Sequence, residues 1–224
     1  MSAATLPSSP GHAGSLLIVV APSGAGKTSL VRALLAARSD LRLSVSCTTR
    51  APRAGEADGV DYFFIDADEF DRRRRRGEFI EWAFVHGNYY GTSRRWIEEQ
   101  IALGVDIVLE IDWQGAAQLR RVFDDAVTVF IAPPSLAVLR QRLTDRGQDT
   151  AEVIERRMAA ARSELAHAGG CQYVIINQEF AAASRDLIAI ADAARSRFRQ
   201  QNARHPDLFA ELGMAKLRST DPHS

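Results

Sequence analysis

The sequence predicts an α/β fold in which a parallel β-sheet lies between two layers of helices. Five short apolar segments, rich in β-branched residues, have the character of buried strands: residues 16–20, 43–47, 105–111, 127–131 and 173–176. Segments with helical apolar spacing alternate with most of them, at residues 30–37, 94–103, 114–122, 136–143, 151–166 and 181–198. Buried strands that alternate with helices indicate a parallel sheet covered on both faces.

The first predicted strand runs into a loop of small residues and then into a helix. Residues 21–29 read Ala-Pro-Ser-Gly-Ala-Gly-Lys-Thr-Ser, which is the P-loop pattern with Ala21 in place of the usual first glycine. In such a loop the backbone N–H groups and the positive helix end surround phosphate oxygens, Lys27 adds a charge, and Thr28 offers a hydroxyl to Mg²⁺. The sequence therefore predicts nucleotide binding at Ser23, Gly24, Ala25, Gly26, Lys27, Thr28 and Ser29.

The composition favours a soluble protein with one substantial core. Of the 224 residues, 46% are apolar and 25% are charged, and the charges cancel, which gives no indication of a nucleic-acid or membrane partner. The apolar stretches are all shorter than a membrane span. Two distant cysteines, Cys47 and Cys171, fit small core residues in a reducing compartment. We therefore expect a cytoplasmic protein, and the sequence leaves open whether it is a monomer or a homo-oligomer.

The composition also shifts at both ends of the chain. Residues 1–14 are rich in Ser, Pro, Ala and Gly and are predicted to form a disordered tail. A single domain is expected over residues 15–205, followed by a C-terminal tail at residues 206–224. Within the domain, the α/β core is assigned to residues 15–45, 93–135 and 168–205.

Two insertions interrupt the alternation of strands and helices. Residues 46–92 combine short apolar segments with turn signals and predict an inserted, mostly β subdomain. Residues 136–167 form the second insertion. Within it, the polar stretch 144–157 around Gly147 is expected to be a mobile loop.

Charged side chains follow two of the predicted strands. Arg50 and Arg53 lie three residues apart, and the planar guanidinium group of arginine suits a phosphate. They therefore predict a second phosphate site. The alternative is that they lie in a solvated turn. Glu110 and Asp112 stand at the end of a buried strand, where ligands of open α/β sheets collect. The alternative for these carboxylates is that they only cap the next helix.

The run Arg72 to Arg76 is expected to lie on a solvated helix in the first insertion. Five consecutive helical residues point almost all the way round the axis, so they do not form one docking stripe. Acidic neighbours also cancel much of the charge: Asp66, Asp68, Glu69, Asp71 and Glu78.

Several segments together resemble the guanylate kinase family. They are Pro-Ser-Gly-Ala-Gly-Lys-Thr, Ser-Cys-Thr-Thr-Arg-Ala-Pro-Arg, Asp-Tyr-Phe-Phe, Phe-Ile-Glu-Trp, Gly-Asn-Tyr-Tyr-Gly-Thr and Glu-Ile-Asp-Trp-Gln-Gly, in the family's order. The resemblance covers about residues 16–199. It implies a three-layer P-loop NTPase core, an insertion at residues 46–92 that binds a nucleoside monophosphate, and a short helical lid at residues 136–167.

The resemblance also implies an activity and its residues. The γ-phosphoryl group of Mg-ATP would pass to GMP or dGMP, in purine nucleotide metabolism. The GMP phosphate would be held by Arg50, Arg53, Tyr62 and Tyr90. Guanine would be surrounded by Ser46, Glu81, Thr92 and Asp112. Lid arginines at Arg146 and Arg157, with Arg142 as a third candidate, would join Lys27 and Arg50 in catalysis, and Asn177 would contact adenine.

The implied guanine contacts agree with the chemistry of the base. Guanine offers an O6 acceptor and N–H donors at N1 and N2, which a hydroxyl and acceptor-only carboxylates complement. Adenine would leave buried polar groups unpaired there. Two other functions stay open: a kinase for a different phosphorylated acceptor, and a guanylate-kinase-like module that binds partners without catalysis.

Overall fold

The computed structural model describes residues 14–53, 55–85, 87–145 and 150–214. In chain order the elements are β1 (Leu16–Val20), α1 (Lys27–Ala37), β2 (Leu41–Leu43), β3 (Cys47–Thr48), β4 (Phe63–Phe64), α2 (Ala67–Arg75), β5 (Phe79–Val85), β6 (Asn88–Ser93), α3 (Arg94–Ala102), β7 (Asp106–Glu110), α4 (Trp113–Val122), β8 (Val127–Ala132), α5 (Leu136–Asp145), α6 (Ala151–Leu165), β9 (Tyr173–Ile176), α7 (Phe180–Arg195), α8 (Phe198–Arg204) and α9 (Pro206–Glu211). A 3₁₀ turn at Ala168–Gly170 precedes β9.

The core is a five-stranded parallel sheet in the order β2-β7-β1-β8-β9. Every residue of the central strand β1 is at most 2% exposed because helices cover both faces. Leu30 of α1 and Leu187 of α7 pack on one face, while Ile97 of α3 and Leu119 of α4 pack on the other. A strand buried on both faces needs a continuous apolar sequence. The predicted α/β class with a parallel sheet is confirmed.

The first insertion forms a second sheet in the order β4-β3-β6-β5, which confirms the expected β-rich element. Its small core is aromatic, with the rings of Phe70 from α2 and Phe79 from β5 stacked at a centroid distance of 4.6 Å. The arginines of α2 pair with acidic residues of the same segment: Arg72 and Arg73 with Glu69, Arg74 and Arg75 with Asp71, and Arg76 with Glu78. Their charge is thus largely neutralised locally.

One predicted strand, at residues 43–47, is wrong because the chain changes sheets within it. β2 ends at Leu43, and the Ser44 N–H makes a last hydrogen bond to the Val108 carbonyl of the core sheet, at 2.9 Å. The Ser46 carbonyl already accepts from the Phe63 N–H of the second sheet, at 2.9 Å. Apolar spacing looks alike on both sides of such a crossover, so the break is invisible in the sequence.

The second insertion is a pair of helices. α5 and α6 pack through Leu139, Leu143, Ile154 and Met158. The expected mobile loop at residues 144–157 is too long, since Thr150 caps α6 and the helix begins at Ala151. The remainder of that loop, residues 146–149, lies outside the described residues.

The C-terminal boundary also differs from the prediction. The chain after residue 205 continues into helix α9, where Phe209 is 8% exposed and meets the ring of Phe198 edge-on at 5.4 Å. The predicted tail therefore starts too early, because this aromatic pair holds α9 against α8. Residues 1–13 and 215–224, the other parts of the predicted tails, lie outside the described residues.

A buried carboxylate joins these last helices to the sheet. Asp106, at the start of β7, is 1% exposed and accepts hydrogen bonds from the Ser15 N–H and hydroxyl, at 2.7 and 2.6 Å. Arg195 and Arg204 complete its surroundings at 2.8 and 2.6 Å. A charge this deeply buried requires such partners.

Within the described part of the chain, no helix has the length and apolar character needed to cross a membrane.

Candidate active site

The P-loop joins the carboxyl end of β1 to the first turn of α1. Gly24 and Gly26 adopt φ angles of 91° and 97°, a left-handed region that favours glycine. Gly26 is the N-cap of α1 and supplies no side-chain acceptor, so the first N–H groups of the helix are left for another acceptor. This arrangement suits a phosphate group, as the sequence predicts.

Two side chains hold the P-loop from behind. The buried Asn177 amide, 4% exposed, donates to the Ala25 carbonyl at 2.8 Å. Arg142 donates to the carbonyls of Asn177 and Ala25, at 2.8 and 3.4 Å. The structure thus gives the Asn177 side-chain N–H and the Arg142 guanidinium a role in supporting the loop, and the adenine contact of Asn177 stays a prediction.

Oxygen atoms that could bind a metal ion lie beside the start of α1. The Thr28 hydroxyl donates to the Glu110 carboxylate at 2.9 Å, and the Lys27 ammonium donates to the Ile111 carbonyl at 3.3 Å. Mg²⁺ prefers hard oxygen ligands and keeps waters and substrate phosphates, so a hydroxyl and one carboxylate are a sufficient protein contribution. The residues fit the predicted ion, with Glu110 added as a second candidate ligand beside Thr28.

A cleft runs from the P-loop to the second sheet. It consists of a cavity of about 240 Å³ beside the P-loop and a neighbouring one of about 350 Å³. The two share six lining residues: Thr28, Ser46, Arg53, Tyr62, Tyr90 and Glu110. The structure therefore brings the two predicted phosphate sites to a single cleft.

Glu81 of β5 lies at the closed end of this cleft and is 3% exposed. Its carboxylate accepts a hydrogen bond from the Thr92 hydroxyl, and Ser46 lies 3.3 Å from the same hydroxyl. Burial raises the pKa of Glu81 to about 7; the Thr92 hydrogen bond opposes this rise and the charge of Asp112 adds to it. A buried carboxylate flanked by hydroxyls is suited to N–H donors of a ligand.

The first turn of α4 shapes the space around Glu81. Asp112 caps the helix by accepting from the Gly115 N–H at 2.9 Å and also lines the cleft, so capping is only part of its role. A Cβ on Gly115 would lie 2.3 Å from the Glu81 carboxylate oxygen. The Gln118 side-chain oxygen accepts from the Trp82 N–H at 3.2 Å, and its side-chain nitrogen donates to the Trp82 carbonyl at 2.8 Å. Helix α4 therefore fixes the position of Glu81.

The predicted acceptor-phosphate residues lie together, with one addition. Tyr62 and Tyr90 meet at a ring distance of 5.9 Å, and burial raises the pKa of Tyr62 to about 12. The Arg50 guanidinium donates to both carboxylate oxygens of Glu56, at 2.8 and 2.9 Å, and the backbone N–H of Arg53 donates to the same carboxylate at 2.8 Å. Burial disfavours the Glu56 charge, but these hydrogen bonds prevail and lower its pKa. No sequence motif pointed to Glu56.

The helical lid contributes a second residue to which no sequence motif pointed. Glu164, in the last turn of α6, lines the cleft together with Ser23 and Lys27 of the P-loop. Burial raises the pKa of Glu164 to about 7, while Lys27 lowers it and Asp112 raises it. Arg157 lies half-buried on α6 and does not line the cavity beside the P-loop, and Arg146 lies outside the described residues.

The raised pKa of Glu81 predicts a pH-dependent stability. The folded protein keeps a proton on Glu81 up to about pH 7, whereas the unfolded chain releases it near pH 4.5. Stability is therefore expected to fall as pH rises between these values, by about 3 kcal/mol for this group. Urea unfolding of the wild type and Glu81→Gln from pH 4.5 to 8 measures the difference. Parallel curves for the two proteins would contradict the assignment; the raised pKa of Glu164 acts equally in both.

The fold and the cleft together define a P-loop phosphotransferase of nucleotides. A parallel sheet carries the loop at the end of its central strand, and a second sheet presents arginines and tyrosines to it. The family model described as guanylate kinase matches residues 13–194. The chain belongs to the guanylate kinase family.

Individual relatives agree with this assignment. The chain is 59% identical to a guanylate kinase of Ralstonia nicotianae over 201 residues, which cover 90% of this chain and 91% of that protein. It is 57% identical to a guanylate kinase of Cupriavidus metallidurans, over 91% and 94% of the two chains. A crystal structure of guanylate kinase from Anaplasma phagocytophilum superimposes with a TM-score of 0.74 at 32% identity, over 90% of this chain and 97% of that one.

Proposed function

We propose that this chain transfers the γ-phosphoryl group of Mg-ATP to GMP, giving ADP and GDP, and that dGMP is a second acceptor. The observation that carries the proposal is the buried carboxylate of Glu81, with the Thr92 and Ser46 hydroxyls, in the same cleft as the P-loop. The guanylate kinase relatives at 57–59% identity support it.

On the donor side, the P-loop amides and Lys27 would hold the ATP phosphates. Thr28 and Glu110 would hold Mg²⁺, which when bound neutralises phosphate charge. Asn177 and Arg142 support the loop from behind, so that its N–H groups keep their direction. Electrostatic stabilisation depends on donors that are already in place when charge develops.

On the acceptor side, Arg50, Arg53, Tyr62 and Tyr90 would bind the GMP phosphate. Glu56 orients the Arg50 guanidinium group before that phosphate binds, so Arg50 needs to move less on binding. Ionised Glu81 would accept from the guanine N–H donors and Asp112 would assist it. Guanine binding therefore favours the charged form of a group that burial otherwise keeps partly protonated.

Phosphoryl transfer needs positioning and charge neutralisation more than covalent chemistry. Lys27 and Arg50 would act on the two sides of the transferring group. Arg146 and Arg157 are proposed to approach it from the lid, since both belong to the second insertion. The GMP phosphate is itself a nucleophile near neutral pH, so no general base is required. A cytoplasmic location suits the use of ATP and the free cysteines Cys47 and Cys171.

The proposal is tested by comparing GMP, dGMP, AMP and ribose 5-phosphate as acceptors in one assay coupled to ADP formation. GMP and dGMP are expected to be the preferred acceptors. Glu81→Gln is expected to lower kcat/KM for GMP about thirtyfold, because a hydrogen bond to a charged group is lost. Glu78→Gln, an exposed change in the same subdomain, should leave it unchanged. Equal use of all four acceptors, or ATP binding without transfer, would refute the proposal and favour the alternatives.

A further inference from the structure

Glu164 is an acidic side chain on the donor side of the cleft with no part in the reaction described above. It comes from the last turn of α6 and lines the cavity together with Ser23 and Lys27 of the P-loop. The Ser23 N–H and the Lys27 ammonium both lie near enough to its carboxylate to favour the charged form. A carboxylate therefore faces groups of the P-loop that suit a phosphate.

The same helix pair has a second, apolar contact with the loop. A Cβ on Gly24 would lie 3.0 Å from the side chains of both Leu139 and Leu143 of α5, so this helix packs directly on the P-loop. Ile154 and Met158 connect α6 to the same cluster. The helix pair is thus joined to the loop by an apolar contact through α5 and an anionic contact through Glu164.

A bound phosphate and the Glu164 carboxylate would compete for the same part of the cavity, beside Ser23 and Lys27. We propose that Glu164 covers part of the donor-phosphate site before nucleotide binds, and that ATP displaces it and thereby releases the end of α6. Glu164 then sets the affinity for the donor and couples its binding to the lid. This inference rests on the proposed function for the identity of the donor. The desolvation that raises the pKa of Glu164 also makes its removal from the cleft easier.

The expected effect follows from the fraction of molecules whose site is uncovered, because the apparent dissociation constant is inversely proportional to that fraction. Glu164→Gln removes the charge and keeps the size and polarity of the side chain. It is expected to bind a non-hydrolysable ATP analogue about five- to tenfold more tightly, without GMP present. Glu164→Ala is expected to tighten binding as well.

Titration calorimetry on the full chain measures these affinities, with Glu152→Gln as the matched control. Glu152 is an exposed carboxylate in the first turn of the same helix, and its replacement should leave the affinity unchanged. Weaker or unchanged binding in both Glu164 variants, with cooperative thermal unfolding retained, would overturn the inference.

Hydrogen exchange distinguishes the proposed coupling from a purely structural role of Glu164. The ATP analogue is expected to increase amide exchange near the end of α6 in the wild type and to change it little in Glu164→Gln, where the contact is already weakened. Equal protection in both proteins would contradict the coupling. If the wild type binds ATP but does not phosphorylate GMP, the proposed function fails while this comparison still decides the role of Glu164.

Discussion

Gly26→Ala is expected to lower phosphoryl transfer at least a thousandfold and to destabilise the protein by about 3 kcal/mol. The new Cβ would lie 2.4 Å from the Asn177 amide nitrogen, so the amide must leave the Ala25 carbonyl that it supports. The φ of 97° adds left-handed strain. Loss of the loop conformation removes the N–H groups that hold the donor phosphates. Steady-state kinetics and urea unfolding measure the two effects, and ATP titration reports on the donor site.

Gly77→Ala is the matched control for this variant. Gly77 also has a left-handed φ, 69°, but a Cβ there would have no neighbour within 4 Å. It should therefore show the conformational strain, about 1 kcal/mol, with ATP binding intact. If both variants lose ATP binding, or neither does, the contact between Gly26 and Asn177 is not what maintains the loop.

Gly115→Ala is expected to lower kcat/KM for GMP about hundredfold and to leave ATP affinity unchanged. Its Cβ would take the place of the Glu81 carboxylate oxygen and lie 3.3 Å from Asp112, so both proposed guanine acceptors would shift. The helix propensity of alanine, about 1 kcal/mol better than that of glycine, offsets part of the cost of this contact to folding. Steady-state kinetics with each substrate varied in turn separates the two sites.

Gly169→Ala provides the control, since a Cβ there would meet nothing within 4 Å. It should retain wild-type kinetics. An unchanged KM for GMP in Gly115→Ala would show that Glu81 keeps its position by other means. A loss of ATP affinity of the same size would show that α4 does not act on the acceptor site alone.

The parts of the fold that the sequence predicts are those determined locally. The run Leu16–Val20 followed by the P-loop fixes a strand, a turn and a helix within a few residues, and β1 and α1 form as expected. The switch between Leu43 and Cys47 is different, because it depends on which partner strand receives each hydrogen bond. Partners distant in the chain leave no local periodicity.

The same distinction applies to the candidate site. Arg50, Arg53, Tyr62 and Glu81 reach the cleft from segments whose motifs pointed to them. The support that Asn177 gives to the P-loop was not predicted, because its amide bonds to a residue 152 positions earlier in the chain. Glu164 resembles any polar residue of an amphipathic helix, and its place beside the P-loop depends on tertiary packing.

The pairing of Asp106 with Arg204 bears on how the nascent polypeptide becomes stable. The carboxylate lies in the middle of the chain, and the guanidinium that completes its surroundings is translated 98 residues later. Until that segment leaves the ribosome, β7 would carry an incompletely neutralised charge, which disfavours a compact sheet. We therefore expect chains that end before α8 to unfold less cooperatively and to be cleaved more readily by proteases.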